Sequence, residues 1–113
     1  MKTSLYIPCH NEEAYLGATL QAVFRQTLIP DEVLVIDDGS TDKTRTVANR
    51  FPVRYISLSE RKGLSHVRNV AIKEARGEFV AALDADCVPD AQWLEALMKH
   101  FDDPQIAGAG GKL

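Results

Sequence analysis

The chain has 113 residues, 45% of them hydrophobic and 26% charged, with a formal net charge of −3 at pH 7. That length suits one layered domain or part of one, and the composition excludes a disordered or fibrous chain. The acidic balance, with no basic stripe among aromatics, speaks against nucleic acid as a partner, and no apolar run approaches the ~20 residues of a membrane-spanning helix.

Leu5, Tyr6, Ile7 and Pro8 make a short apolar strand that the proline ends, because it lacks the amide a central ladder needs. Asn11 reads as the cap of the next helix, with Glu12 and Glu13 in its positive first turn and Leu16, Leu20, Val23 and Phe24 along one apolar face. Pro30 and Asp31 close that unit. Residues 32–36 are a continuous β-branched run, a second buried strand that enters Asp37, Asp38, Gly39, Ser40, Thr41 and Asp42. Gly39 permits a tight turn there, and Ser40 or Thr41 caps a helix whose inward face is Val47, Ala48 and Phe51. Residues 53–56 form a third strand, less apolar and so nearer a sheet edge. Gly63 then opens a helix with Leu64, Val67, Ala71 and Ala75 inward, and Gly77 closes it as a C-terminal glycine.

Residues 79–83 are apolar without a helical period and predict a strand buried on both faces. Asp84 and Asp86 follow, and in an extended segment residues two apart share a face. Acids pointing together need a cation, and a hard divalent ion with oxygen ligands that also holds a phosphate meets that need. A D-x-D triplet alone suits an ordinary strand end or helix cap equally well; its weight comes from other acids reaching the same edge. Pro89 and Asp90 start a last helix with the stripe Leu94, Leu97, Met98 and Phe101, which Asp102, Asp103 and Pro104 break. Residues 106–111 predict the beginning of a fifth strand.

Alternating strands and helices without hairpin signals predict an α/β fold: a mostly parallel, Rossmann-like sheet with helices on both faces. Right-handed crossovers put every strand's C-terminus on one edge, gathering residues 8–12, 37–42 and 84–86 where open α/β sheets bind ligands. Cys9 and Cys87 have no metal-site spacing and read as free thiols of a reducing compartment. With no signal-peptide pattern near Met1, the expected location is the cytoplasm, or the cytoplasmic face of a membrane for a longer protein.

Four segments in this order, residues 7–13, residues 35–42, Gly63 with Arg68 and Asn69, and residues 83–86, carry a resemblance. Over nearly all of its length the chain resembles the N-terminal, nucleotide-sugar-binding half of a family 2 glycosyltransferase of the GT-A fold. The resemblance implies that residues 1–113 are the donor-binding portion of such a domain, with UDP-sugar as donor and Mn²⁺ or Mg²⁺ as cofactor. It places Pro8 and Glu12 beside the uracil or ribose and has Asp38 accept the base N3 hydrogen. It sets Arg68 near the base or phosphates, Asp84 and Ala85 by the ribose, and Asp86, with Asp84, on the metal of the DXD motif. It also implies an inverting transfer to a sugar, lipid or protein acceptor, with the general base in an acceptor half expected beyond Leu113. No catalytic residue is therefore expected in this chain, which is expected to be inactive alone and, with its sheet ending near Leu113, to self-associate through an uncovered side.

The chain departs from the family pattern at Val67 and Ala71, where a small residue before the arginine and a glycine after the asparagine are usual, and at Cys87, which replaces a third acid. Cys9 and Cys87 are expected to be buried and inert, and His10, His66 and His100 to transfer no proton. The competing functions are a receiver-like phosphoacceptor signalling domain, which shares the length and the acids after strands, and a non-catalytic nucleotide-sugar-binding module. Against the receiver stands the lack of a lysine at a fifth strand end.

Overall fold

The computed structural model describes residues 2–100. Its strands are β1 (Thr3–Cys9), β2 (Glu32–Asp38), β3 (Arg54–Leu58) and β4 (Phe79–Ala82), and its helices α1 (Leu16–Phe24), α2 (Thr44–Ala48), α3 (Leu64–Glu74) and α4 (Trp93–His100). All described strand pairs are parallel, in the order β3-β2-β1-β4. The chain therefore winds from β1 out to β3 and then crosses back to the other side of β1. With right-handed crossovers that reversal sends α3 to the opposite face from α1 and α2 and opens a switch point beside β1. The predicted fold class holds.

Strand alternation sorts the core into two layers. Leu5, Ile7, Val33, Val35, Phe79 and Ala81 face α1, α2 and α4, where they meet Leu16, Leu20, Val47, Ala48, Trp93 and Leu94. Leu34 and Ile36 face the other way, onto Val67 and Ala71 of α3. Phe24 and Phe51 stack at 6.1 Å between centroids, closing the first layer near α2. Buried Gln26 ties α1 to the start of α4: its amide nitrogen donates to Asp90 O at 2.6 Å and its oxygen accepts Leu94 N–H at 3.0 Å. No sequence periodicity marks that polar contact.

Several expectations change. Pro8 does not end β1, which pairs with β2 as far as Cys9 opposite Asp37. Tyr6 O accepts Leu83 N–H on the β4 side, and Pro8, two residues on, directs its missing donor to that same side beyond the last pairing with β4, so no ladder bond is lost. Nor is β4 buried on both faces. Phe79 and Ala81 are buried, Val80 is half-buried and Ala82 exposed, because α3 lies over β1 and β2 and leaves that side of β4 open.

Asn11 is not a helix cap: it has φ 54°, and α1 starts later, after a turn in which Glu12 O accepts the N–H groups of Tyr15 and Leu16. Glu12 and Glu13 therefore precede the helix. Neither Ser40 nor Thr41 caps α2; Asp42 Oδ1 accepts Thr44 N–H at 3.0 Å instead. Gly63 does open α3, at φ 94°, but Leu64 is 74% exposed rather than inward. Gly77 is no C-terminal helix glycine. It is a close approach to β1, with its N–H donating to Ser4 Oγ at 2.8 Å and space for a Cβ taken by Ser4 N and Lys2 O. α4 starts at Trp93, with Asp90 O accepting Trp93 N–H. Phe101, the break at residues 102–104, the predicted fifth strand and the sheet end expected near Leu113 lie outside the described residues.

Candidate functional site

A cleft of about 340 Å³ opens across the C-terminal ends of β1, β2 and β4. Its lining brings together Pro8, Glu12, Asp38, Asp84, Ala85 and Asp86. These are the predicted donor and metal residues with one exception: Arg68, exposed on α3, is not among the lining residues, although its neighbour Val67 is. The general base, expected beyond Leu113, lies outside the described residues.

Each side is held by backbone-directed bonds. Asp37 and Asp38, both buried at the end of β2, divide two tasks. Asp37 accepts Ser40 N–H at 2.9 Å and the Tyr55 hydroxyl, shaping the turn at Gly39. Asp38 accepts the N–H groups of Lys62 at 2.6 Å and Gly63 at 3.0 Å, one on each carboxylate oxygen. Two donors leave lone pairs on that carboxylate for a ligand. The carbonyl of Asp38 accepts His10 Nδ1–H at 2.8 Å, which links the ends of β1 and β2. Glu12 is set by its own N–H, which donates to Thr44 Oγ1 at 2.9 Å.

On the β4 side the strand has already ended. Asp84 to Cys87 form a turn in which Cys87 N–H donates to Asp84 O at 3.2 Å, so a turn, and not strand alternation, brings Asp84 and Asp86 together. Thr19 of α1 fixes that turn from behind, its hydroxyl donating to Ala85 O at 2.7 Å. Ligand atoms of Asp84, Asp86 and Cys87 all lie within 4.8 Å of one another. The carboxylate oxygens are hard donors suited to Mn²⁺ or Mg²⁺, and the thiol is a softer third neighbour. The donor set fits a divalent ion.

Charge converges on this region. Burial, followed by the charges of Asp86, Asp42 and Asp84, pushes the Glu12 carboxyl above its ordinary range. Burial, then Asp86 and Asp84, raises the Cys87 thiol as well. Cys9 is buried, and burial and then Asp37 push its thiol far up, in keeping with an inert cysteine; Cys87 is only half-buried. A site that disfavours added negative charge at two groups is one that a cation would relieve.

Sequence reasoning missed Arg61, which lines the cleft from the loop between β3 and α3. Its signal was available: it stands two residues before Gly63, in a loop that leaves the same sheet edge as the acids. His10 lines the cleft too, in the role of a loop tie.

The chain matches the profile of "Glycosyl transferase family 2" over residues 4–113. It is 39% identical to "Glycosyltransferase AglE" of Haloferax volcanii, over 97% of this chain and 38% of that protein. It is 36% identical to "UDP-Glc:alpha-D-GlcNAc-diphosphoundecaprenol beta-1,3-glucosyltransferase WfgD" of Escherichia coli, over 81% of this chain and 38% of that one. Among solved structures it superposes on S. aureus TarS 1-349 in complex with UDP-GlcNAc with TM-score 0.81 at 32% identity, covering 90% of this chain and 31% of that one. It superposes on the mannosyltransferase PcManGT from Pyrobaculum calidifontis in complex with GDP-Man and Mn²⁺ with TM-score 0.86 at 29% identity, covering 93% and 33%. The chain thus spans little more than a third of these curated relatives. These comparisons do not favour the receiver-like alternative.

Proposed function

Because the chain belongs to glycosyl transferase family 2 and has the GT-A fold, we propose that its cleft binds the nucleotide of a UDP-sugar together with Mn²⁺ or Mg²⁺, for transfer of the sugar to an acceptor hydroxyl with inversion. The observation that carries this reading is the gathering of Glu12, Asp38, Asp84 and Asp86 around one cleft at the switch-point edge. Asp38 accepts an N–H of the base through its remaining lone pairs. Pro8 and Glu12 border the base and ribose, and Asp84 and Ala85 the ribose. Asp86 and Asp84 hold the ion, and Arg68, exposed on α3, meets the phosphates. When bound, the metal supplies Lewis-acid stabilisation of charge on the leaving diphosphate. The chain's own part is to position the nucleotide by turns whose backbone is already satisfied, so that little ordering is left to binding.

Thermal unfolding with UDP, with and without Mn²⁺, tests the reading. UDP with Mn²⁺ at ~100 times its dissociation constant should stabilise the protein by about 2.7 kcal/mol, and a chelator should remove most of the shift. A folded protein that ignores UDP, GDP and Mn²⁺ in every combination would refute it.

A further inference from the structure

We propose that Thr19, a residue of α1 outside the cleft lining, is a positioning residue for the divalent ion: its hydroxyl sets the peptide between Ala85 and Asp86, and with it the placing of Asp86 beside Asp84. The inference rests on the reading of the cleft as a nucleotide-sugar site that takes a metal.

Asp84 and Asp86 are exposed, so packing does not hold their side chains, whereas Leu83 and Ala85 are buried. The two carboxylates are neighbours because of the backbone that carries them. Like charges in a small space repel, and without a cation that repulsion acts to open the turn. The bond from Cys87 N–H to Asp84 O, at 3.2 Å, closes the turn on itself. A bond from Thr19, 66 residues earlier in the chain, anchors it to α1: the hydroxyl donates to Ala85 O at 2.7 Å. A hydroxyl has one proton to give. Tyr15 O, in the turn before, is the other acceptor within reach, but it stands 3.3 Å away, so the bond across to Ala85 is the stronger. Thr19 is 0% exposed, so water does not compete for that proton. The peptide unit is planar, so a fixed Ala85 carbonyl also fixes Asp86 N and the direction in which Asp86 leaves the turn.

The helix that supplies Thr19 is tied to both sides of the cleft. At its start Glu12 O accepts Leu16 N–H at 2.9 Å, joining α1 to a cleft-lining residue on the β1 side. At its end Gln26 bonds to Asp90 O and Leu94 N–H, and Thr27 N–H donates to Ala91 O at 2.7 Å. The chain leaving the acids is thus laid along α1, and Thr19 is the contact that falls between the two acids.

The test is Mn²⁺ binding in the presence of UDP by the wild type, Thr19→Val and Thr19→Ser, read from the electron paramagnetic resonance signal of the free ion. Valine keeps the shape without the hydroxyl, and serine keeps the hydroxyl. Thr19→Val is expected to weaken Mn²⁺ about tenfold and Thr19→Ser about twofold or less, the lower end of what outer partners of metal ligands contribute. UDP binding in chelator should be unchanged in both, because Asp38 and its donors lie on the other side of β1. A valine variant that binds Mn²⁺ like the wild type would overturn the proposal. So would a serine variant as weak as the valine one, or a valine variant that loses UDP in chelator by the same factor, since general loosening of the cleft gives those results. Thermal unfolding shows whether each variant is folded at the temperature of measurement. If Thr19→Val is not, Thr19→Cys, a weaker donor of similar size, replaces it, and wild-type Mn²⁺ affinity there would overturn the proposal equally. A wild type that binds no Mn²⁺ with UDP present refutes the reading of the cleft itself, a result distinct from a site that holds the ion but does not need Thr19.

Discussion

Asn11 Oδ1 accepts the backbone N–H of Thr41 at 2.8 Å, and through this contact the loop leaving β1 grips the loop leaving β2. The grip is reciprocal, since Asn11 N–H donates to Ser40 Oγ at 2.8 Å. Both bonds depend on Asn11 standing at φ 54°, a left-handed conformation that asparagine tolerates better than most residues. The asparagine thus keeps Glu12 and Asp38, which follow and precede the paired loops, on the same wall.

Replacing Asn11 should separate its two contributions. Asn11→Gly loses the amide contact but keeps the left-handed backbone, at a cost of about 1 kcal/mol. Asn11→Ala loses the contact and strains the backbone, and should be less stable than the glycine variant by about 1 kcal/mol. Urea unfolding of both variants measures the difference; an alanine variant as stable as the glycine one would contradict it.

Gly77 predicts a larger effect at the other end of the sheet. A Cβ there would stand 2.7 Å from both Ser4 N and Ser4 Oγ and 2.9 Å from Lys2 O, and the backbone nitrogen of Ser4 belongs to the central strand β1, which cannot yield freely. Gly77→Ala should cost about 1–3 kcal/mol by overpacking, read in the same unfolding experiment. Unchanged stability would mean that the segment before β4 shifts easily.

Asp86 and Asp38 should fail in different ways. Asp86→Asn keeps the shape but loses the charge a hard cation needs, so nucleotide binding should lose its Mn²⁺ dependence while the fold is unaffected. Asp38→Ala should weaken UDP with or without metal. It should also destabilise the fold by about 2 kcal/mol, because the N–H groups of Lys62 and Gly63 lose their acceptor. Calorimetry in Mn²⁺ and in chelator separates the two, and equal loss of metal dependence in both variants would disprove the division of roles.

Acid should weaken the fold through Glu32. Burial acts to raise its carboxyl, but hydrogen bonds from Arg76 N and Ser4 Oγ, with the charges of Arg54 and Arg76, outweigh burial and hold it below its usual value of 4.5. A depressed carboxyl stabilises the folded state fully above the unfolded value and loses that contribution as pH falls through the lower folded one. Stability should therefore decline below about pH 4.5, and Glu32→Gln should flatten part of the decline. Asp42, also lowered, supplies a slope of the same sign that remains in the variant. Identical acid slopes for wild type and Glu32→Gln would count against Glu32 as a source.

The alternation of apolar strands with helices was enough to predict a parallel sheet with its acids on one edge, because short apolar runs separated by helical stripes, with no hairpin signal between them, require crossovers that bring every strand end to the same side. The motifs at residues 7–13, 35–42 and 83–86 were enough to indicate the family and most of the cleft. What sequence could not supply was the hydrogen bonding of side chains far apart in the chain. Asn11 looked like a cap because asparagine before acids usually is one; its partner is Thr41, thirty residues away. Asp84 and Asp86 were placed together by strand alternation, yet a turn held by Thr19 brings them together. Leu64 fitted a helical stripe, yet it lies where α3 begins at the cleft rim. Above all, Arg61 and Arg68 are chemically alike and flank Gly63 on either side, yet Arg61, in the loop packed on Gly39, lines the cleft, while Arg68, on α3, does not. Periodicity and motif order are local properties that the chain carries in its own residues, whereas which cation reaches a cleft depends on the relative placement of loops from different strands, and that exists only once the sheet has formed.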